Sequence, residues 1–165
     1  MKEVDFLSKV HGSTNRDYLA RVNDLEFPKH RAAKLAKEFD YDYWDGDRRV
    51  CYGGYRYIQG RWEKVAREIN DYYNLPINAK ILDVGCGKGY LMYDFSKVLP
   101  EAELYGIDIS EYAFNNCKEE MKNNIKVGNA NCLPWPDNYF DLVISINTLH
   151  CLHSFDLEKA FKEIE

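Results

Sequence analysis

Residues 81–95 read ILDVGCGKGYLMYDF, and how this stretch is read decides the fold. Ile81, Leu82, Asp83 and Val84 form a short, mostly apolar run of the kind that fills a buried parallel strand. After Gly89 the apolar residues return at helical spacing, with Leu91, Phe95 and Val98. The glycines therefore sit where a strand turns into a helix. At such a place glycine lets the backbone approach a ligand closely, and the helix N-terminus offers free N–H groups.

Outward from this turn the pattern alternates regularly. Strands are expected near 80–85, at 103–108 (ELYGID), near 125–128 and at 140–147 (FDLVISIN), with helices near 89–98, 111–122 and 155–165 between and after them. Such a βαβ series implies an α/β fold with a parallel, doubly wound sheet. Upstream, RWEKVAREINDYYN places Trp62, Val65, Ala66, Ile69, Tyr72 and Tyr73 on one face, the mark of an amphipathic helix. Asp17 to Glu38 reads as two helices broken at Phe27-Pro28, followed by an aromatic loop over 40–62 that is rich in Tyr, Trp and Arg. The expected division is 1–75, an N-terminal helical and lid region, and 76–165, the core.

The whole chain narrows the field. At 165 residues it has the length of one ordinary domain, able to bury a core without disulfides or metals. A net charge of −5 argues against a dedicated nucleic-acid binder, which needs a basic face. The five cysteines form no C-x-x-C pair and read as free thiols of a reducing compartment. The first residues, MKEVDFLSKVHGSTNRDYLARV, carry charges throughout and show no apolar run of signal-peptide length, and no later stretch approaches membrane-spanning length. A cytoplasmic protein without membrane partners is the expectation.

Three ligand classes use a glycine turn after the first strand. A phosphate-binding P-loop requires G-x-x-x-x-G-K-[ST], and no Ser or Thr follows Lys88. A dinucleotide fingerprint requires G-x-G-x-x-G, whereas Gly85, Gly87 and Gly89 give G-x-G-x-G with Asp83 two residues ahead. An acid at that place suits a ligand carrying an ammonium group better than a pyrophosphate. Asp108, about twenty residues on at the end of the second strand, can accept hydrogen bonds from both hydroxyls of a ribose, and by itself this fits NAD equally well.

Taken together, DVGCGKG, the Asp108 of YGIDIS and GNANCLPWPDNYFDLVISINTLH resemble the class I S-adenosylmethionine-dependent methyltransferases, in particular the type 11 small-molecule branch, over roughly residues 78–165. The resemblance implies a Rossmann-like sheet of order 3-2-1-4 and S-adenosyl-L-methionine as cofactor. It implies that Asp83, Gly85 and Gly87 line the methionine moiety, Asp83 facing its ammonium group, and that Asp108 holds the ribose. Ile109 would pack on the adenine, Asn129 and the Ala130 N–H would read its edge, and Asn147 would flank the methionine portion. The family usually has Asp where this chain has Asn129, whose amide oxygen can still accept from the adenine amino group. Family members continue past the last helix into further strands, so the chain is expected to stop after the fourth strand and its helix, leaving FDLVISIN at a sheet edge open to pairing with a second copy.

His150 follows the fourth strand on the side where open α/β sheets bind ligands and is the candidate general base, with a substrate-pocket or capping histidine as the alternative. HCLHSF lacks a second ligand pair at structural-zinc spacing, so no metal is expected. The 40–62 loop reads either as a satellite cluster or as a lid excluding water from a polar acceptor. The expected function is that of an S-adenosylmethionine-dependent methyltransferase acting on a small-molecule acceptor at a hydroxyl. A non-catalytic binding protein is one alternative. A nucleic-acid methyltransferase is another, although NTLHCL lacks the Asn/Asp-Pro-Pro-aromatic run common in enzymes acting on exocyclic amines.

Overall fold

The structure, a computed structural model, describes residues 4–8, 10 and 17–165; part of the N-terminal stretch read for a leader lies outside these residues. Four parallel strands, β1 (Lys80–Val84), β2 (Glu103–Asp108), β3 (Ile125–Val127) and β4 (Leu142–Ile144), form one sheet of order β3-β2-β1-β4. This is the order expected. Helices α1 (Tyr18–Val22), α2 (Lys29–Ala36) and α3 (Tyr41–Trp44) precede α4 (Glu63–Tyr73), and α5 (Tyr90–Val98), α6 (Glu111–Asn115) and α7 (Ser154–Ile164) follow the strands.

Strand alternation sorts the side chains onto two faces. Leu82, Val84 and Ile107 are 0%, 0% and 2% exposed and cluster with Ala130 and with Ala160 of α7, closed over by Trp135, Phe140 and Leu149. The opposite face carries Ile81, Asp83, Leu104, Gly106 and Asp108 in register, since Ile81 pairs with Leu104 and Asp83 with Gly106. There α5 packs on β2 and α4 packs on α5 through Val65, Ala66, Ile69, Leu91 and Phe95, all buried. Asp94, fully buried on α5, accepts the Trp62 N–H at 2.9 Å and so ties the start of α4 to α5.

Because of this packing, contacts divide the chain elsewhere than at residue 75. One compact unit is Met1–Phe6 with Gln59–Glu165, so α4 belongs with the sheet; the other is Leu7–Ile58. Within the second unit, Trp44 is buried and stacks on Tyr52 at 5.3 Å, with Tyr43 and Tyr55 against it at 5.0 and 5.2 Å.

Two elements differ from expectation. The helix expected over 111–122 ends at Asn115 and a 3-10 turn follows over Glu119–Asn124. Asn115, Asn116 and Cys117 are poor helix formers, and the Lys118 N–H is drawn to the Lys88 carbonyl at 3.0 Å. The strand expected over 140–147 pairs only from Leu142 to Ile144. Beyond it the Ser145 hydroxyl donates to the Val84 carbonyl at 3.0 Å, and Asn147 adopts φ +56°, which ends the extended run. Among the described residues no helix is long and apolar enough to cross a membrane.

Candidate functional site

The turn between β1 and α5 lies where the strand order reverses, between β1 and β4, and there an open α/β sheet leaves a crevice at its carboxyl end. Gly85, Gly87 and Gly89 have φ of +81°, +54° and +72°, which side-chain-bearing residues rarely adopt. At Gly85 there is also no room, since a Cβ would come within 1.9 Å of the Thr148 hydroxyl oxygen.

Four amides of this turn are engaged within the protein. Gly85 and Cys86 donate to the Ile107 carbonyl at 2.7 and 3.2 Å, Gly87 donates to Asp108 Oδ2 at 2.7 Å, and Gly89 donates to the Cys86 carbonyl at 3.0 Å. A phosphate cradle needs such N–H groups turned outward. With these four donors turned inward, what the turn offers a ligand is chiefly carboxylate and carbonyl oxygen, the complement of a cation.

Asp83 is the most telling of these oxygens. It is 5% exposed, and among the described residues no hydrogen bond contributes to the environment of its carboxyl group, only burial and a neighbouring charge. Burial, and then the charge of Asp108, push it up to about 7. Asp108, 8% exposed, is better supported: besides Gly87, the Ser110 N–H donates to its Oδ1 at 2.9 Å. Burial raises Asp108 above the ordinary carboxylate range, and those two amides pull it back. The buried Cys86 thiol is pushed up by burial first and by both carboxylates next.

The remaining candidates collect around the same end of the sheet. Ile109, next to Asp108, is 50% exposed, an open apolar side chain at the mouth. The Gly128 N–H donates to the Asp108 carbonyl at 2.9 Å, which sets Asn129 and the buried Ala130 just past β3. Asn129 Oδ1 accepts the Asn131 N–H at 3.2 Å, a local turn bond that occupies part of its accepting capacity. Asn147 is exposed, one residue before Thr148. His150 is exposed in a 3-10 turn over Leu149–Cys151, with Nε2 3.5 Å from Cys151 Sγ.

Sequence reasoning missed three residues here. Thr148 closes over Gly85; Lys88, 4% exposed, has its ammonium 5.7 Å from the Tyr112 ring; and Ser110 caps α6 by accepting the Ala113 N–H at 3.0 Å. Only Ser110 carried a signal, a Ser directly before the helical EYAFN.

Fold and site together define a Rossmann-like α/β domain whose crevice at the strand switch carries two buried carboxyl groups, Asp83 and Asp108. Residues 81–165 match the methyltransferase domain family, and the chain belongs to that family, the class I S-adenosylmethionine-dependent methyltransferases. It is 36% identical over 90 residues to a demethylmenaquinone methyltransferase of Symbiobacterium thermophilum, covering 50% of this chain and 36% of that one. It is 34% identical over 105 residues to the mitochondrial arginine-hydroxylase NDUFAF5 of Homo sapiens, covering 62% of this chain and 30% of that one. The chain thus spans about a third of the length of these curated relatives. Among solved structures, a methyltransferase attributed to an antibiotic biosynthesis pathway of Anabaena variabilis superposes with a TM-score of 0.54 at 27% identity, over 61% of this chain and 39% of that one.

Proposed function

We propose that this chain binds S-adenosyl-L-methionine and forms the cofactor-holding part of a methyltransferase acting on a small-molecule acceptor, at a hydroxyl group. The observation that carries the reading is Asp83: a buried carboxylate without a donor among the described residues, ahead of a turn whose Gly85, Cys86, Gly87 and Gly89 amides bond internally. That arrangement fits an α-ammonium group and disfavours the pyrophosphate of NAD.

The bound cofactor supplies a methyl group activated by a sulfonium. The chain's own residues hold and orient. Asp83 accepts from the ammonium group. Asp108 has one backbone donor on each oxygen, and its remaining lone pairs are free to accept from ribose hydroxyls. Ile109 lies against the adenine, Asn129 and the Ala130 N–H read its edge, and Asn147 flanks the methionine end. His150 takes the acceptor proton. The 40–62 segment serves as a lid. The protein works in the cytoplasm without nucleic-acid or membrane partners, and a second copy pairs along β4.

Isothermal titration tests the reading. S-adenosylmethionine or its demethylated product should bind and NAD should not, and Asp108→Ala should weaken binding by roughly 1–3 kcal/mol. Tight NAD binding, or an unchanged titration for the variant, would overturn it.

A further inference from the structure

Asp83 and Asp108 lie on the same face of adjacent strands, two residues apart in register, and the fold treats them unequally. Asp108 receives two backbone N–H groups, whereas among the described residues Asp83 receives none. The other groups packed around Asp83 do not make up the difference. Its register partners on β2 and β4 are Gly106 and Ile144, and beyond β4 come the uncharged Ser145 and Thr148. In the turn, Cys86 is a neutral thiol and the Lys88 ammonium is placed over the Tyr112 ring. On α5, Asp94 is engaged with the Trp62 N–H and lies 3.7 Å from the Lys97 ammonium. Two buried carboxyl groups with donors for one sort into one ionised and one protonated.

We infer that Asp83 carries a proton in the ligand-free site near neutral pH and that a ligand's ammonium group must displace it, so that proton and ligand compete for one carboxylate. The inference rests on the proposed ligand class. On binding, the O–H bond of the Asp83 carboxyl breaks and its proton passes to the buffer, while the ammonium keeps its own protons and becomes the donor that the carboxylate lacked. Burial and the Asp108 charge set the midpoint of this competition at about 7, inside the physiological range. Below it, affinity for an ammonium-bearing ligand falls about tenfold per pH unit; well above it, affinity is level.

The probe is S-adenosylhomocysteine, titrated calorimetrically between pH 5.5 and 8.5 in pairs of buffers with different ionisation enthalpies. Close to one proton released per ligand is expected at the acid end and almost none at pH 8.5, with affinity weakening accordingly. 5′-Methylthioadenosine, which lacks the amino-acid end, should bind with no pH dependence in this range. Asp83→Asn, checked for fold by circular dichroism, should bind S-adenosylhomocysteine weakly and without pH dependence. Wild-type binding that is flat with pH and releases no proton overturns the inference and leaves the ligand class standing. The same pH dependence for methylthioadenosine, or its persistence in Asp83→Asn, places the titration elsewhere and also overturns it. Failure of S-adenosylhomocysteine to bind at any pH overturns the ligand class itself.

Discussion

Asp83 makes the empty fold less stable where the proposed ligand binds best. Its folded-state value of about 7 lies above the ordinary 3.8, so the native state holds this proton more tightly than the unfolded chain does. The stabilisation that comes with the proton is complete below about pH 4 and is lost as pH rises through 7. Raising the pH from 5 to 8 should therefore remove about 2–3 kcal/mol that an amide at this position would keep. Denaturant unfolding of wild type and Asp83→Asn without ligand should show the variant gaining by that amount over the interval; a constant difference at both pH values would sink the argument. At this scale the sequence was readable wherever a residue acts through its neighbours in the chain. Gly85, Gly87 and Asp83 form a local pattern with a local reason. The bond from Gly87 to Asp108 spans 21 residues and the closure of Thr148 on Gly85 spans 63, and no local pattern encodes either.

Elements were legible in proportion to their burial. β1 and β2 are nearly continuous apolar runs and appear over the expected residues. The helix after β2 was overextended because apolar spacing continues through Met121 while the backbone is diverted at Lys118 by the Lys88 carbonyl. β4 was overextended because apolar content marks burial and does not report where ladder bonds stop; the Ser145 hydroxyl takes over from the ladder at Val84. The 40–62 segment gave the least away. It folds as the four-residue α3 and irregular chain around Trp44 and Tyr52, with few backbone ladder bonds of its own. Such a segment has low local stability and is easily ordered by a ligand. Amide exchange from Tyr41 to Trp62 should slow when S-adenosylmethionine is added. Equal exchange with and without it would remove the lid and leave a satellite cluster.

For the whole molecule, strand order decides both where the ligand goes and where the sheet is exposed. β1 is paired on both sides, whereas β4 pairs with β1 alone among the described residues. The Gly85 N–H donates to the Ile107 carbonyl on β2, so by alternation the backbone groups of Leu82 face β4; since Leu82 is in register with Val143, Leu142 and Ile144 bond to β1 and the Val143 N–H points away from the sheet. Leu142 and Val143 are only half-buried. An edge that is apolar and carries unpaired N–H and C=O groups is a template for another strand, and a second copy of this chain is the partner always present at high concentration. Light scattering should therefore show mass rising with concentration. Val143→Pro, which removes an outward N–H and leaves the Leu142 and Ile144 bonds to β1 in place, should lower that association while circular dichroism stays native-like. A wild-type chain that remains monomeric over the whole concentration range would show that β4 is closed in another way, and association unchanged by Val143→Pro would move the contact to a different surface.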